Sequence, residues 1–423
     1  MLEQRQEVDQ DRTGVELFAG GGGLAMAVHR AGFRPLLFNE FAKRACETLR
    51  ANGAVPVEEG QIPPIPAPGE PCPIREGDIR KVDFEYLKGC VDVLAGGPPC
   101  QPFSLGGVAK GDEDERNMFP EMFRAIRQIE PKAVICENVR GLLRPSFKPY
   151  FDYILRELAL PFEERDESVT WQEHDAVLRR VLDKGTASAG RRYRVVVTAV
   201  NAADYGVPQV RNRIIIVAFR EDLGVHIDKF KELVEPRYSE HALFRSMIEG
   251  SYWERHPKVP KKVRDRVMAR VPKEMPVPDE TLPWRTLRDA MAGIDEQKPL
   301  PPIPAKYLDR KERNLGGFTD HIGWPNARIY PGHTPNELDR PAKTVKAGVH
   351  GVPGGESVML LDDGTHRYMS VRETARVMAF PDDWKLAGPR GEKMRQLGNA
   401  VPVALGEIFA RAVATVLHDA ESK

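Results

Sequence analysis

The stretch GVELFAGGGGLAMAVHRAGF, residues 14 to 33, constrains this chain more than any other. A short apolar run of strand character meets four consecutive glycines, and an amphipathic run follows that predicts a helix from about Gly23. RPLLFNEF then predicts a second strand with Asn39, Glu40 and Phe41 at its carboxyl end, and AKRACETLRANG a second helix. Strand, helix, strand, helix is the opening of a doubly wound, mostly parallel α/β sheet. Glycines in the first turn let a ligand touch backbone. An acid close to twenty residues beyond Gly20, ending the second strand, suits the hydroxyls of a ribose. FAGGGG departs from GxGxxG, however, and taken alone would equally suit tight packing of a helix on a strand.

The α/β rhythm continues as far as residue 220. Residues 56–73 hold seven prolines and read as an irregular loop. VDVLAGG (91–97) and KAVICENV (132–139) read as buried strands, with a helix in MFPEMFRAIRQIEP (118–131) between them. Residues 191–219 hold two strand-like runs separated by a turn, and 160–190 reads as an insertion. Between about 220 and 340 the rhythm is lost. That region is rich in proline and includes RHPKVPKKVRDRVMARVPKE, with eight lysines and arginines against two acids. Order resumes near 341. SVRETARVMAF predicts a helix capped by Ser370, since Glu373 stands three residues later, and GNAVPVALGEIFARAVATVLHDA supplies a closing helix.

Two strand ends carry the chemistry. GGPPCQPFS (96–104) sets Cys100 among prolines and glycines, a stiff frame at the edge where open α/β sheets place ligands. Glu137, ending the strand in KAVICENV, emerges at the same edge although 37 positions separate the two. A thiolate beside a carboxylic acid can attack an electron-poor ring at one atom while a proton is supplied at another. QVRNR adds Arg211 and Arg213, on one face if extended. Each has a plainer reading: an inert buried thiol, a surface acid, a solvated edge pair.

Taken together and in order, ELFAGGGGLAMAVHRAGF, NEF, GDI (77–79), GGPPCQPFS, ENVRG, NAADYGVPQVRNR, RPAKTVKAG, SVRETARVMAFPDDW and RQLGNAVPV resemble the cytosine-5 DNA methyltransferases. The resemblance covers about 13–220 and 340–415. It implies a Rossmann-like methyltransferase fold in three parts: a catalytic and cofactor-binding domain (13–220), a target-recognition domain (221–340), and a C-terminal segment (341–420) that in part completes the catalytic domain. By the same resemblance Cys100 adds to C6 of a cytosine swung out of double-stranded DNA. Glu137 meets N3, Arg213 contacts the O2 side, and Arg211 supports it. S-adenosyl-L-methionine gives the methyl group, leaving S-adenosyl-L-homocysteine, with no metal. Phe18 and Phe41 flank the adenine, and the backbone of Ala19, Gly20, Gly21, Gly22, Gly23 and Leu24 wraps the methionine part. Glu40 holds the ribose, and Asp78 and Ile79 read the adenine edge. Pro99 and Met118 line the pocket, and Asn399, Ala400 and Val401 close it. Residues 101–117 match the family's loop over the flipped base. Gly21 stands where the family commonly has isoleucine or leucine.

Composition adds bounds. Lysine plus arginine equals aspartate plus glutamate at 62 each, so DNA binding must rest on local patches such as 255–274. The stretch GGFTDHIGWPNARIYPGH (316–333) has aromatics and an arginine suited to reaching bases. Five cysteines without a CxxC pair argue against a disulfide framework or a cysteine-rich zinc site. A polar N-terminus and the lack of an 18-residue apolar run point to a soluble cytoplasmic protein with no membrane partner. The expectation is a monomeric DNA (cytosine-5)-methyltransferase of a restriction-modification or phage-defence system, with companion proteins possible. An RNA cytosine-5 methyltransferase or a catalytically silent DNA-binding relative is the alternative.

Overall fold

The structure is a computed structural model, described here for residues 12–99, 117–166, 168–274, 276–277, 280–329, 332, 334–347 and 357–422. The chain divides into two compact units: residues 1–200, 212–234 and 406–423 form the first, and residues 201–211 and 235–405 the second.

The first unit is built on an eight-stranded sheet. Its strands are β1 (Thr13–Leu17), β2 (Arg34–Glu40), β3 (Val55–Pro56), β4 (Pro73–Glu76), β5 (Val93–Gly96), β6 (Ala133–Val139), β7 (Tyr193–Asn201) and β8 (Asn212–Arg220). They lie in the order β3-β4-β2-β1-β5-β6-β8-β7. The β3–β4, β4–β2, β2–β1, β1–β5 and β5–β6 pairs are parallel, and β8 runs antiparallel to β6. The chain moves outward from β1 through β2 to the edge, then returns to lay β5 on the other side of β1. The carboxyl ends of β1 and β5 therefore flank a topological switch point, where open α/β sheets leave a crevice. Gly96 makes the close β1–β5 approach possible, because a Cβ there would stand 2.8 Å from the Leu17 carbonyl oxygen.

Helices α1 (Gly23–Arg30), α2 (Lys43–Ala51), α3 (Phe119–Ile129), α4 (Lys148–Ala159), α5 (Trp171–Lys184) and α6 (Ile227–Leu233) belong to this unit. Met122, Phe123, Ile126 and Ile129 of α3 join Phe151, Ile154 and Leu158 of α4 in one core with Leu94, Val134 and Ile216 of the sheet. Within the 160–190 stretch, Trp171–Lys184 form α5, opened by a capping box in which Thr170 and Glu173 satisfy each other's backbone amides. The proline-rich loop is held by Arg34 on the Pro66 carbonyl and by Arg75 on those of Glu58 and Gln61.

In the second unit, α7 (Glu240–Glu249), α8 (Ser251–Arg255) and α9 (Lys261–Met268) enclose a small core of Leu243, Phe244, Met247, Tyr252, Trp253, Val263 and Val267. Two short sheets accompany them, β9 (Tyr238–Ser239) with β10 (Leu282–Pro283), and β11 (Asn336–Glu337), β12 (Val358–Leu360) and β13 (His366–Tyr368). Helices α10 (Leu287–Ala292), α11 (Val371–Val377) and α12 (Arg390–Asn399) follow. All seven residues of α11 are buried, Arg372, Glu373 and Arg376 included. The closing helix α13 (Val403–Glu421) begins only after Pro402 and returns the chain to the first unit, where Phe409 meets Phe230 edge to face. The apolar window over these last two helices is long enough to cross a membrane, yet 72% of it is buried inside the protein.

Candidate active site

The glycine turn adopts the conformation its composition requires. Gly20 and Gly22 have φ of 55° and 87°, a left-handed backbone that side chains disfavour. Phe18 shares that region at φ 57°, an unusual placement for an aromatic residue. A Cβ at Gly20 would meet only the Phe18 carbonyl oxygen, at 3.9 Å, so the turn presents an open backbone face.

Glu40, the acid ending β2, is buried and reaches back to this turn. One carboxylate oxygen accepts from the Gly20 amide at 2.6 Å and the other from the Ala42 amide at 2.6 Å. Burial raises its pKa, opposed by the amides of Ala42, Gly20 and Phe41. Phe41 stands beside it 77% exposed among the described residues, leaving its aromatic face open. Two neighbours brace this site. Asn39 donates to the carbonyls of Arg75 and Gly77, binding the end of β2 to β4 and the turn that follows it. Glu16 on β1 is buried, and burial together with the Glu40 charge pushes its pKa well up against the Ala25 amide. An acid inside an otherwise apolar strand was the available signal.

Asp78 caps the short turn Ile79–Lys81 and is gripped by Arg80 at 2.6 Å, which lowers its pKa, while Ile79 is buried in the core. Ala19, Gly21, Gly23 and Leu24 lie within the turn and the first turn of α1.

Across the switch point, β5 and β6 bring a second group together. Glu137 is buried, and its Oε1 lies 2.8 Å from Arg213 Nε at the start of β8. The approach is an ion pair without the alignment of a hydrogen bond, so the carboxylate keeps accepting capacity. A Cβ at Gly97 would lie 3.7 Å from Glu137 Oε2, so the loop leaving β5 passes directly by this acid. That loop is fixed at two successive carbonyls. Asn138 Nδ2 donates to the Pro98 oxygen at 3.1 Å, and the Met118 amide donates to the Pro99 oxygen at 3.2 Å. Asn138 follows Glu137 in the sequence and was passed over; only its place after the strand acid could have marked it. Cys100, and the loop 101–116, lie outside the described residues.

Arg211 is placed elsewhere. It belongs to the second unit, 1% exposed, and its guanidinium donates to the carbonyls of Val345 (2.9 Å), Gly398 (2.8 Å) and Ala400 (3.0 Å). The two arginines do not share a strand face because β8 begins only at Asn212. Asn399, Ala400 and Val401 also belong to the second unit, Asn399 exposed at the end of α12 and the other two buried. Gln209 bridges within the same unit, accepting from the Val345 amide and donating to the Val377 carbonyl.

Much of the basic cluster at 255–274 is committed internally. Arg264 lies over the Trp253 ring and donates to the Pro257 and Val259 carbonyls, and Arg270 pairs with Glu337. In the 316–333 stretch, His321 is buried between Ser370 and the Pro301 carbonyl, Phe318 lies under Arg376, and Trp324 lies between Arg310 and Arg390. Among the described residues, no group of three or more histidine, cysteine, aspartate or glutamate side chains is arranged to hold a metal ion.

The model of the C-5 cytosine-specific DNA methylase family matches residues 13–160 and 172–415. The chain is 32% identical to the type II methyltransferase M.PspPI of Psychrobacter sp. (strain TA137), over 96% of this chain and 80% of that protein. It is 30% identical to the type II methyltransferase M.Eco47II of Escherichia coli, over 96% and 79%. A crystal structure of a DNA modification methyltransferase encoded within an E. coli prophage shares the fold, with a TM-score of 0.56 and 18% identity over 96% of this chain and 99% of that one. With acid and arginine set at one edge of a doubly wound sheet and an open glycine turn at its switch point, the chain belongs to the C-5 cytosine-specific DNA methylase family and is a DNA cytosine-5 methyltransferase.

Proposed function

We propose that the protein methylates C5 of a cytosine turned out of a specific double-stranded DNA sequence, through covalent addition of Cys100 to C6. The observation that carries this reading is Glu137, buried beside the β5 loop and 2.8 Å from Arg213. An acid at N3 and a guanidinium at O2 would hold the pyrimidine by its polar edge and draw charge from the ring as the thiolate adds. The sulfur–C6 bond forms, the C5–C6 π pair becomes available at C5, and C5 takes the methyl group. Loss of the C5 proton and of the sulfur–C6 bond then restores the aromatic ring. Division into addition and elimination is needed because C5 of free cytosine is a poor nucleophile.

The open turn, the Glu40 carboxylate and the exposed Phe41 fit S-adenosyl-L-methionine: backbone for the methionine part, an acid for the ribose, an aromatic face for adenine. When bound, this molecule supplies the electrophilic methyl group. Phe18, Ala19 to Leu24, Asp78, Ile79, Pro99 and Met118 complete the proposed surround. Arg211 serves by tying the carbonyls of Val345, Gly398 and Ala400 together. Within the second unit, residues 235–340 are assigned to reading DNA. Relatives named type II methyltransferases favour a place in restriction-modification.

The test is base-resolution conversion sequencing of DNA from a methylation-free bacterial host expressing the protein or its Cys100→Ser variant. Methylated cytosines in one fixed context, absent with the variant, are the expected result. A blank map from folded wild-type protein, or label found in RNA instead, would overturn it.

A further inference from the structure

The loop from β5 reaches Cys100 through Pro99, and the Pro99 carbonyl is held by the amide of Met118. What holds Met118 is the question. Its neighbour Asn117 is buried, accepts from the Phe119 amide at 3.4 Å and donates through Nδ2 to the Tyr150 hydroxyl at 2.6 Å. Tyr150 lies on α4, also buried, and its ring is boxed in. Trp171 of α5 meets it edge to face at 5.2 Å, and Tyr153 lies at 5.7 Å. Trp171 falls in the interval, residues 161–171, that the family model leaves unmatched, and α5 begins there. This unmatched interval thus has a physical consequence: it supplies the ring that packs on Tyr150.

We infer that Tyr150, held by Trp171, is a positioning residue for the nucleophile, acting through Asn117 and Met118 on Pro99. The inference rests on the reading of Cys100 as the nucleophile. Two carbonyls ahead of Cys100 are gripped from independent sides, Pro98 by Asn138 and Pro99 by Met118, and only the second grip depends on α4 and α5. Removing the Tyr150 hydroxyl leaves a buried Asn117 donor without this partner. Asn117 then shifts to recover a hydrogen bond, and Met118 and Pro99 move with it. Small displacements of a reacting group cost large factors in rate, up to about a hundredfold per ångström.

Tyr150→Phe removes one oxygen and keeps the ring that Trp171 and Tyr153 pack on. Single-turnover methyl transfer to genomic DNA from a methylation-free host is measured for wild type, Tyr150→Phe, Asn117→Ala, the double variant and Cys100→Ser. S-adenosyl-L-methionine affinity and thermal midpoint are measured beside it. The expected result is a rate about tenfold down in Tyr150→Phe at saturating S-adenosyl-L-methionine, a clearly smaller loss of cofactor affinity because Met118 and Pro99 are only two of the proposed cofactor contacts, and no further rate loss when Tyr150→Phe is added to Asn117→Ala. A Tyr150→Phe rate within about twofold of wild type, or additive losses in the double variant, overturns the positioning role. So does a rate loss accompanied by an equal loss of cofactor affinity, since a general structural defect would move both. Turnover retained by Cys100→Ser would instead sink the nucleophile reading itself.

Discussion

The two units bury charge for opposite ends. In the first, Glu137 at the carboxyl edge of the sheet is left with capacity to spare, since it meets Arg213 without an aligned hydrogen bond. In the second, the buried charges of α11 and its partners are consumed. Arg367 grips both oxygens of Glu373 at 2.7 and 2.5 Å, and Glu373 also accepts from the Ser370 amide at 2.8 Å. Arg376 is spent on Asp382 and on the carbonyls of Ala290 and Lys298. A buried ion that is fully paired fixes a structure, whereas one with an unused lone pair is ready for a ligand.

Glu137→Gln breaks the comparison most sharply. The amide keeps the shape but loses the charge beside Arg213 and the capacity to share a proton with the ring. Single-turnover methyl transfer should fall by roughly 10²–10⁴, while the thermal midpoint changes little. A rate within twofold of wild type would place Glu137 with the structural charges of the second unit.

Glu373→Gln tests the opposite end, through stability. Burial pushes this carboxyl up, but the charge and hydrogen bonds of Arg367, with His321 and the Ser370 amide, outweigh burial and hold it at about 2 against an ordinary 4.5. A depressed carboxyl gives its stabilisation in full above about pH 4.5 and loses it as pH falls toward 2. The variant should therefore unfold about 3–5 kcal/mol more easily at neutral pH. In denaturant titrations between pH 5 and 2 it should be the less acid-sensitive of the two proteins. Equal acid slopes would remove the pair from the account.

Glu40→Ala has the smallest expected effect, since it removes one acceptor from a site built from many contacts. Two amides, of Gly20 and Ala42, lose their partner along with the proposed ribose contact. Cofactor affinity should weaken by about 2 kcal/mol, or some thirtyfold, read by isothermal titration. An unchanged affinity would leave Glu40 as a brace of the turn alone.

Where local chemistry repeats along the chain, the sequence discloses the structure. The first strand, the glycine turn and a helix from Gly23 follow from residues 14–33, and the Ser370–Glu373 cap from its own spacing. Boundaries were harder. The helix in SVRETARVMAF ends at Val377, with Ala379 at φ 58°, and GNAVPV divides between α12 and a helix that starts at Val403. Strands β3 and β4 are two and four residues long, too short to show a period. Partners distant in sequence leave no trace at all. Nothing in QVRNR reveals that Arg211 turns to the carbonyls of Gly398 and Ala400 while Arg213 turns to Glu137. The α5 cap, Thr170 with Glu173, has the same three-residue spacing as the Ser370 cap.

The most direct measurement of the central claim uses DNA in which cytosine is replaced by 5-fluorocytosine, incubated with the protein and S-adenosyl-L-methionine. Fluorine at C5 cannot leave as a proton does, so addition and methyl transfer should halt before the sulfur–C6 bond can break. The account predicts a denaturation-resistant protein–DNA conjugate whose digested peptide carries the nucleotide on Cys100, absent from Cys100→Ser. Active wild-type protein that forms no conjugate, or one attached at another residue, would contradict it.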